Sequence, residues 1–343
     1  MFPRFTFAAL IIALLCSACQ PMNVSPTAGP TDSPVINTQR PSAEPEHISA
    51  TIEVNSPSNM TFADGLLWVI SGSSIMRIDP QTDQVVGGPI SPGVQAEDIV
   101  VSNSTLWVAS VGPGDLGAPS DTDSVSAIDP ESGEIVASIK VPRAPMSLAV
   151  TPEGIWIVNF GGGGSGVNLI DSKTRQIAGD PIETGHAPIC LVVGDGSVWV
   201  ANHDDRSVTR IDPVTQQAIA NIKLQEEPHR IAFGEGAIWV SNWHVNSITR
   251  IDPQINQVVG EPIPIDHHAG NIAVGFGSVW VTSDYRGPMD GAAEDVVLVR
   301  IDVQTNQVVE TIPLGGHPID VEVSEEAVWV SVQGPGMVVK IIP

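Results

Sequence analysis

The sequence has few basic residues, few aromatic residues and no long amphipathic helical pattern. Its 343 residues include 15 Lys and Arg against 39 Asp and Glu, which gives a formal net charge of −24. Such a chain repels nucleic-acid phosphates and anionic lipid headgroups, so neither is expected as a binding partner. The chain is rich in Val and Ile and contains 32 Gly and 29 Pro, a composition that predicts an all-β fold.

Cysteine is scarce as well, and two of the three cysteines lie near the N-terminus. There, a basic start is followed by an apolar run at residues 5–15 that is too short to span a membrane. The stretch CSAC that comes next resembles the lipobox of bacterial lipoproteins, which implies that Cys19 is lipidated and becomes the first mature residue. An ordinary signal peptide cut near Ala18 is the alternative. After lipoprotein processing only Cys190 stays as a free thiol, so no intrachain disulfide is expected.

These features divide the chain into three predicted segments. Residues 1–18 are a lipoprotein signal peptide, and residues 19–47 are a Pro-, Ser- and Thr-rich tether too polar to fold by itself. Residues 48–343 form the folded domain. We therefore expect a bacterial extracytoplasmic lipoprotein that touches the membrane only through its lipid anchor.

Seven tryptophans recur along the folded domain, each inside an apolar run. They are Trp68, Trp107, Trp156, Trp199, Trp239, Trp280 and Trp329. Their average spacing of about 43 residues is typical of propeller blades with four strands each. The pattern predicts a seven-bladed β-propeller with a tryptophan on the second strand of each blade, packed between blades. In the fifth repeat the predicted strands are residues 229–233, 237–242, 247–252 and 257–263.

The seventh repeat has only three strand-like runs, at residues 319–323, 327–332 and 337–342. The segment HISATIEV at residues 47–54 reads as a strand that belongs to no repeat of its own, and it resembles the fourth strands of other repeats. We therefore predict that this N-terminal strand completes the C-terminal blade and closes the ring.

Six repeats carry an Ile-Asp pair after the tryptophan strand, usually followed by proline. The aspartates are Asp79, Asp129, Asp171, Asp212, Asp252 and Asp302. Aspartate at the start of a turn accepts hydrogen bonds from backbone N–H groups two residues further on, so we interpret these residues as turn formers. Metal binding is the weaker alternative, because one carboxylate per blade leaves them too far apart to share an ion.

Aligned residues near the start of the first strand of each blade are mostly polar and would line the mouth of the central channel. They are Asn59, Asp98, Ser147, Cys190, Arg230, Asn271 and Asp320. Asn59, Asp98, Arg230, Asn271 and Asp320 are candidate ligand-binding residues. The alternative is a hydrated channel lining that binds no ligand.

Histidine is concentrated in the loops that share the face of this channel mouth. Of the eight histidines only His47 lies elsewhere, and six fall between blades four and six. His203, His244 and His268, with Trp243 and Tyr285, are candidate ligand-binding residues, although loop histidines can also be simply exposed. No His-x-x-x-His spacing supports a zinc site.

The pattern GSVWVAN…VTRIDPVTQQAIANIKL resembles the YVTN/YncE-like propeller repeats of secreted bacterial proteins. A narrower resemblance is to the virginiamycin B lyase family, whose Glu-Pro-His segment matches Glu227-Pro228-His229. That resemblance implies a magnesium ion held by Glu227 and a catalytic base at His229. Two positions depart from the family pattern, since Ile189 stands in place of a histidine and Asn242 in place of a glutamate.

Two functions from different classes remain. The favoured one is a non-catalytic, monomeric binding module that needs no cofactor and recognises a protein, peptide, glycan or small ligand through its His-rich loop face. The alternative is a magnesium-dependent lyase or lactonase that uses Glu227 and His229.

Overall fold

The computed structural model describes residues 47–93, 95–112, 120–160, 166–242, 244–283 and 296–343. Strands in these ranges form seven antiparallel sheets, arranged as the blades of a seven-bladed β-propeller. This confirms the predicted fold class. The described residues include no helix of the length and apolarity required to cross a membrane.

The N-terminal strand is β1 (Ile48–Glu53), and the first three blades follow it in chain order. Blade 1 contains β2 (Pro57–Ala63), β3 (Leu66–Ser71), β4 (Ser74–Asp79) and β5 (Gln84–Val85). Blade 2 contains β6 (Ala96–Ser102), β7 (Thr105–Ser110), β8 (Ser124–Ile128) and β9 (Ile135–Lys140). Blade 3 contains β10 (Pro145–Thr151), β11 (Gly154–Asn159), β12 (Gly166–Asp171) and β13 (Gln176–Glu183).

The remaining four blades repeat the same arrangement. Blade 4 contains β14 (Pro188–Gly194), β15 (Ser197–Asn202), β16 (Ser207–Asp212) and β17 (Gln217–Lys223). Blade 5 contains β18 (Pro228–Gly234), β19 (Ala237–Asn242), β20 (Ser247–Asp252), β21 (Gln257–Val258) and β22 (Ile263–Pro264). Blade 6 contains β23 (Ala269–Gly275), β24 (Ser278–Ser283), β25 (Val297–Asp302) and β26 (Gln307–Pro313). Blade 7 contains β27 (His317–Val323), β28 (Val328–Gln333), β29 (Met337–Ile341) and β1.

The ring closes through the pairing of β1 with β29. The two strands are antiparallel, with Thr51 opposite Val339. The backbone N–H of Val54 donates to the Gly336 carbonyl at 3.0 Å. The predicted closure is confirmed, and it removes the sheet edge that β29 would otherwise expose.

One strand prediction is wrong. The fourth strand of blade 5, predicted as a continuous run at residues 257–263, is broken into β21 and β22. Gly260 between them adopts a φ of +75°, which interrupts extended backbone, and Pro262 cannot donate a ladder hydrogen bond.

The tryptophans lie between blades, as predicted. Six of the seven are fully buried: Trp107, Trp156, Trp199, Trp239, Trp280 and Trp329. In each apolar cluster the tryptophan of one blade packs against strands of the next, as Trp199 does against Ile238 and Val240 of blade 5. Each blade thus buries its largest side chain against its neighbour, and the core is a series of interfaces around the ring.

Alternating strand direction gives the ring two distinct faces. The loop face carries the connections from second to third strands and from one blade to the next. The turn face carries the turns that join first to second and third to fourth strands. On the turn face all six Ile-Asp aspartates accept backbone N–H bonds from the residue two positions on, for example Asp212 from Val214 at 2.9 Å, which confirms the turn interpretation.

Cations on third strands join neighbouring blades on the turn face. Arg77, Arg210, Arg250 and Lys340 each stack on the tryptophan of their own blade and donate to a carbonyl in the turn of the next blade. We call these four residues the turn-face clamps. In blades 2 and 3 the same position is occupied by Ala127 and Leu169, which cannot make this contact.

Candidate functional site

The first strands of the seven blades surround an axial cavity of about 370 Å³. Its lining includes all seven aligned positions: Asn59, Asp98, Ser147, Cys190, Arg230, Asn271 and Asp320. We call these seven residues the channel girdle. The structure therefore brings together the five candidate ligand-binding residues that the alignment assigned to the channel mouth.

Acceptors in the channel girdle bind backbone N–H groups of the following blade. Oδ2 of Asp98 accepts from Leu148 of blade 3 at 2.7 Å. Oδ2 of Asp320 accepts from Met60 of blade 1 at 2.8 Å. Since these bonds cross from one blade to the next, the two carboxylates contribute to ring assembly and are held in fixed orientations.

Amide side chains in the girdle donate in the same direction around the ring. Nδ2 of Asn59 donates to the Glu97 carbonyl of blade 2 at 2.8 Å. Nδ2 of Asn271 donates to the Ile319 carbonyl of blade 7 at 2.7 Å. Members of the polar girdle therefore connect consecutive blades.

Arg230 is the one cation of the girdle, and it is half-buried. Its Nε donates to Oδ1 of Asn271 at 2.9 Å, and its Nη1 donates to the His229 carbonyl at 3.3 Å. It forms no salt bridge with a carboxylate in the described part of the chain. Arg230, Asp98 and Asp320 line the same cavity, and the Arg230 charge offsets part of the effect that burial has on the pKa values of the two carboxyl groups.

Burial dominates the titration of the channel carboxylates. It raises the pKa of Asp98 to about 6, against the backbone hydrogen bonds that favour the charged form. It raises the pKa of Asp320 to about 7, and repulsion from Asp98 adds to this effect. Near neutral pH the cavity therefore does not hold its full complement of negative charge.

Glu322 is a channel residue that sequence reasoning missed. It follows Asp320 by two positions on β27 and so shares its face of the strand. The residues at the same depth include Val100, Val192, Ala232 and Ala273, which makes Glu322 the one acid in a largely apolar layer. Burial, followed by repulsion from Asp320, raises its pKa well above the usual value. The two-residue period of the strand was the signal that could have identified it.

Cys190 also lines the cavity but is a poor nucleophile. Burial raises the pKa of its thiol, although the Arg230 charge acts in the opposite direction. Thiols react as thiolates, so a raised pKa argues against covalent chemistry at this residue.

A second polar group lies on the loop face, where blades 4 and 5 meet. Nη2 of Arg206 donates to Oε1 of Glu227 at 3.0 Å, and this bond is the main cause of the lowered pKa of Glu227. Electrostatic interactions with His203 and His244 lower that pKa further. Nδ1 of His203 lies 3.1 Å from the Pro228 carbonyl. We call His203, Arg206, Glu227 and His244 the loop cluster; Arg206 is a member that the sequence analysis did not identify.

The residues expected to carry lyase chemistry have other surroundings. Glu227 is ion-paired to Arg206, and His229 is buried at the start of β18. Nδ2 of Asn242 donates to Ser247 at 2.9 Å and to Thr249 at 3.0 Å within its own blade. In the described ranges, no group of three His, Cys, Asp or Glu side chains is arranged to hold a metal ion.

Of the other predicted site residues, His268 belongs to neither group and is exposed on the loop between blades 5 and 6. Trp243, Tyr285 and the proposed lipidation site Cys19 lie outside the described residues.

Solved structures with a similar fold include a streptogramin B lyase, with 18% identity, a TM-score of 0.67, and coverage of 86% of this chain and 96% of that one. Virginiamycin B lyase from Staphylococcus aureus is 17% identical with a TM-score of 0.68, and the match covers 86% of this chain and 98% of that one. Hydrazine synthase from Kuenenia stuttgartiensis is 15% identical with a TM-score of 0.69, and the match covers 89% of this chain and 98% of that one. At these identities the similarity establishes the β-propeller fold alone.

No protein-family profile matches the sequence, and no curated protein matches it. The resemblance to YVTN/YncE-like repeats therefore stays a prediction.

Proposed function

We propose that this protein is a non-catalytic binding module, anchored outside the cytoplasm through Cys19, whose partner contacts the loop cluster. The partner is a protein, peptide, glycan or small ligand with both positive and negative groups. The observation that carries this proposal is the charged group His203, Arg206, Glu227 and His244 at the junction of blades 4 and 5. Loops on a rigid scaffold are frequent sites of recognition.

Backbone contacts support the loop cluster as a fixed surface. The N–H of Leu224, in the segment between blades 4 and 5, donates to the Arg206 carbonyl at 2.8 Å. The N–H of His203 donates to the Ala187 carbonyl at 2.9 Å. These bonds hold the turn at residues 203–206 against its neighbouring loops, so the charged side chains are presented with little ordering still to be done on binding.

Site-specific photo-crosslinking in the cells that make the protein tests this proposal. A photoreactive amino acid at Asp204, which is exposed beside the loop cluster, should give discrete crosslinked products. The matched control at Val214, exposed on the turn face, should not. Adding Glu227→Ala should abolish the Asp204 products. Identical products from both positions, or products insensitive to Glu227→Ala, would contradict the proposal.

The alternative, a magnesium-dependent lyase or lactonase, is supported by the Glu227-Pro228-His229 segment and by the lyases of similar fold. Thermal melting with Mg²⁺, Mn²⁺ and Ca²⁺ separates it from the binding module. A rise in Tm that Glu227→Gln removes and Glu226→Gln retains would favour the enzyme. If no cation changes the Tm, the enzyme is ruled out in this form.

The lipid anchor has its own test. Mass spectrometry of the membrane fraction should find a diacylglyceryl group on Cys19, and a Cys19→Ser variant should lack it and leave the membrane. An unmodified Cys19, or a mature chain that begins elsewhere, would contradict the anchor without affecting the loop cluster.

A further inference from the structure

The axial cavity separates charges of opposite sign. On one side Arg230 forms no salt bridge with a described carboxylate, although it acts on Asp98 and Asp320 through space. On the other side these two carboxylates approach from blades 2 and 7. Opposite charges that line one cavity and do not touch leave room for a molecule that contacts both.

The carboxylates are fixed in place before any ligand arrives. Leu148 holds Asp98, and Met60 holds Asp320, each through a backbone N–H. Asn271 holds Arg230 through Nε, and Arg230 can still donate through Nη2. Preorganised groups of this kind bind a charged ligand without first losing side-chain freedom.

Below the girdle the cavity becomes largely apolar. Val100, Val192, Ala232 and Ala273 line this deeper layer, and its polar members are Thr61 and Glu322. The cavity volume of about 370 Å³ is at the small end of the range of roughly 300–1,000 Å³ that is usual for ligand sites. A small ligand with two charged ends near the girdle and an apolar group beneath them matches this layout.

We propose that the axial cavity binds a free α-amino acid with an apolar side chain. Its carboxylate pairs with Arg230, its ammonium group lies between Asp98 and Asp320, and its side chain enters the apolar layer. Glu322, within that layer, is half-buried and limits how large this side chain can be. The site is separate from the loop cluster, so it stands whether or not the loop cluster binds a partner.

The first experiment is a thermal-melting screen of the purified protein against the twenty standard amino acids at about 10 mM each. Apolar amino acids should raise the Tm, and aspartate and lysine should not. The best binder is then measured by calorimetry against its amide, which lacks the carboxylate, and its deaminated acid, which lacks the ammonium group. Both analogues should bind at least about tenfold more weakly, a loss of about 1.4 kcal/mol. If no amino acid raises the Tm, or if either analogue binds equally well, the proposal is wrong.

Variants test which residues of the cavity bind the carboxylate and which bind the ammonium group of the ligand. Arg230→Gln should remove the preference for the amino acid over its amide, whereas Arg230→Lys should retain part of it. Asp98→Asn combined with Asp320→Asn should remove the preference over the deaminated acid. Arg175→Gln, which removes an equal charge from an exposed residue on the turn face, should leave the Kd unchanged. A change with Arg175→Gln equal to that with Arg230→Gln would attribute the effect to net charge and overturn the proposal.

Discussion

The two faces of the propeller connect neighbouring blades by different chemistry. On the turn face, permanently charged Arg and Lys side chains stack on buried tryptophans and donate to turns of the next blade. In the channel girdle, carboxylates and amides bind the backbone of the next blade around an open cavity. The turn-face clamps are the arrangement expected of a purely structural contact. The girdle contains buried acids whose raised pKa values oppose stability at neutral pH, a feature often found at functional sites.

Both sets of contacts depend on ring closure, which gives the largest expected effect. A chain that begins at residue 55 lacks β1 and leaves β29 with an open edge. We expect it to lose cooperative unfolding, because the closing blade carries both Lys340 and Asp320. A chain that begins at residue 43 is the control and should melt like one that begins at residue 20. Equal melting of the chains that begin at residues 43 and 55 would contradict the role assigned to β1.

Loss of a turn-face clamp should have the next largest effect. Arg210 lies 4.7 Å from the centre of the Trp199 ring, donates to Asn256 of blade 5 at 3.0 Å, and is mostly buried. Arg210→Ala removes the cation–π contact and leaves the Pro253 carbonyl without its donor. We expect the free energy of unfolding, measured in urea, to fall by about 2–4 kcal/mol. A loss below about 1 kcal/mol would show that the clamps do not hold the blades together.

The pKa of Asp320 in the channel girdle is raised and the pKa of Asp212 on the turn face is lowered, so the two acids should affect the pH dependence of stability in opposite ways. The folded-state pKa of Asp320 is raised from 3.8 to about 7, so its favourable contribution is complete at low pH and is lost as the pH rises towards 7 and beyond. Asp320→Asn keeps an acceptor for the Met60 N–H and removes the buried charge. Relative to the wild type it should gain about 1–3 kcal/mol in the free energy of unfolding between pH 5 and pH 8. Asp98, Glu322 and Arg230 face this carboxyl and set the size of the effect.

The control for this comparison is Asp212→Asn on the turn face. Backbone N–H bonds from Thr215 and Val214 lower the pKa of Asp212, so its contribution is present above the usual pKa and is lost only as the pH falls into the acid range. The difference between this variant and the wild type should therefore stay constant between pH 5 and pH 8. If the free energy of unfolding of Asp212→Asn, relative to the wild type, changed with pH as much as that of Asp320→Asn, the effect would come from net charge and not from burial.

The sequence predicted those features of the fold that a local pattern within each repeat encodes. Tryptophan spacing, Asp-Pro turns and the unpaired N-terminal strand each follow from residues near one another or from simple strand counting. Alignment also placed Asp98 and Asp320 at the channel, yet their partners lie 50 and 260 residues away in the chain and no local pattern specifies them. The partners of the turn-face clamps are also distant in the chain, so no local sequence pattern identifies these contacts. In blade 5 the break at Gly260 overrode the apparent strand propensity.

The loop cluster was predicted only in part, for a related reason. Histidine density marked the loop face, where His203 and His244 lie, but the contact between Arg206 and Glu227 forms because two loops from adjacent blades pack together. Loop packing is set by tertiary structure, so a single sequence offers no periodic signal for it.

The smallest expected effect is that of Arg206→Ala. Arg206 resembles Arg210 in having a carboxylate partner at about the same distance, but its side chain is 55% exposed compared with 14% for Arg210. An exposed ion pair is screened by solvent, so its loss should change the free energy of unfolding by less than about 1 kcal/mol. Urea denaturation of the two variants under one set of conditions measures this difference directly. A loss as large as that of Arg210→Ala would mean that Arg206 supports the ring, and the loop face could then not be treated as a surface kept for binding.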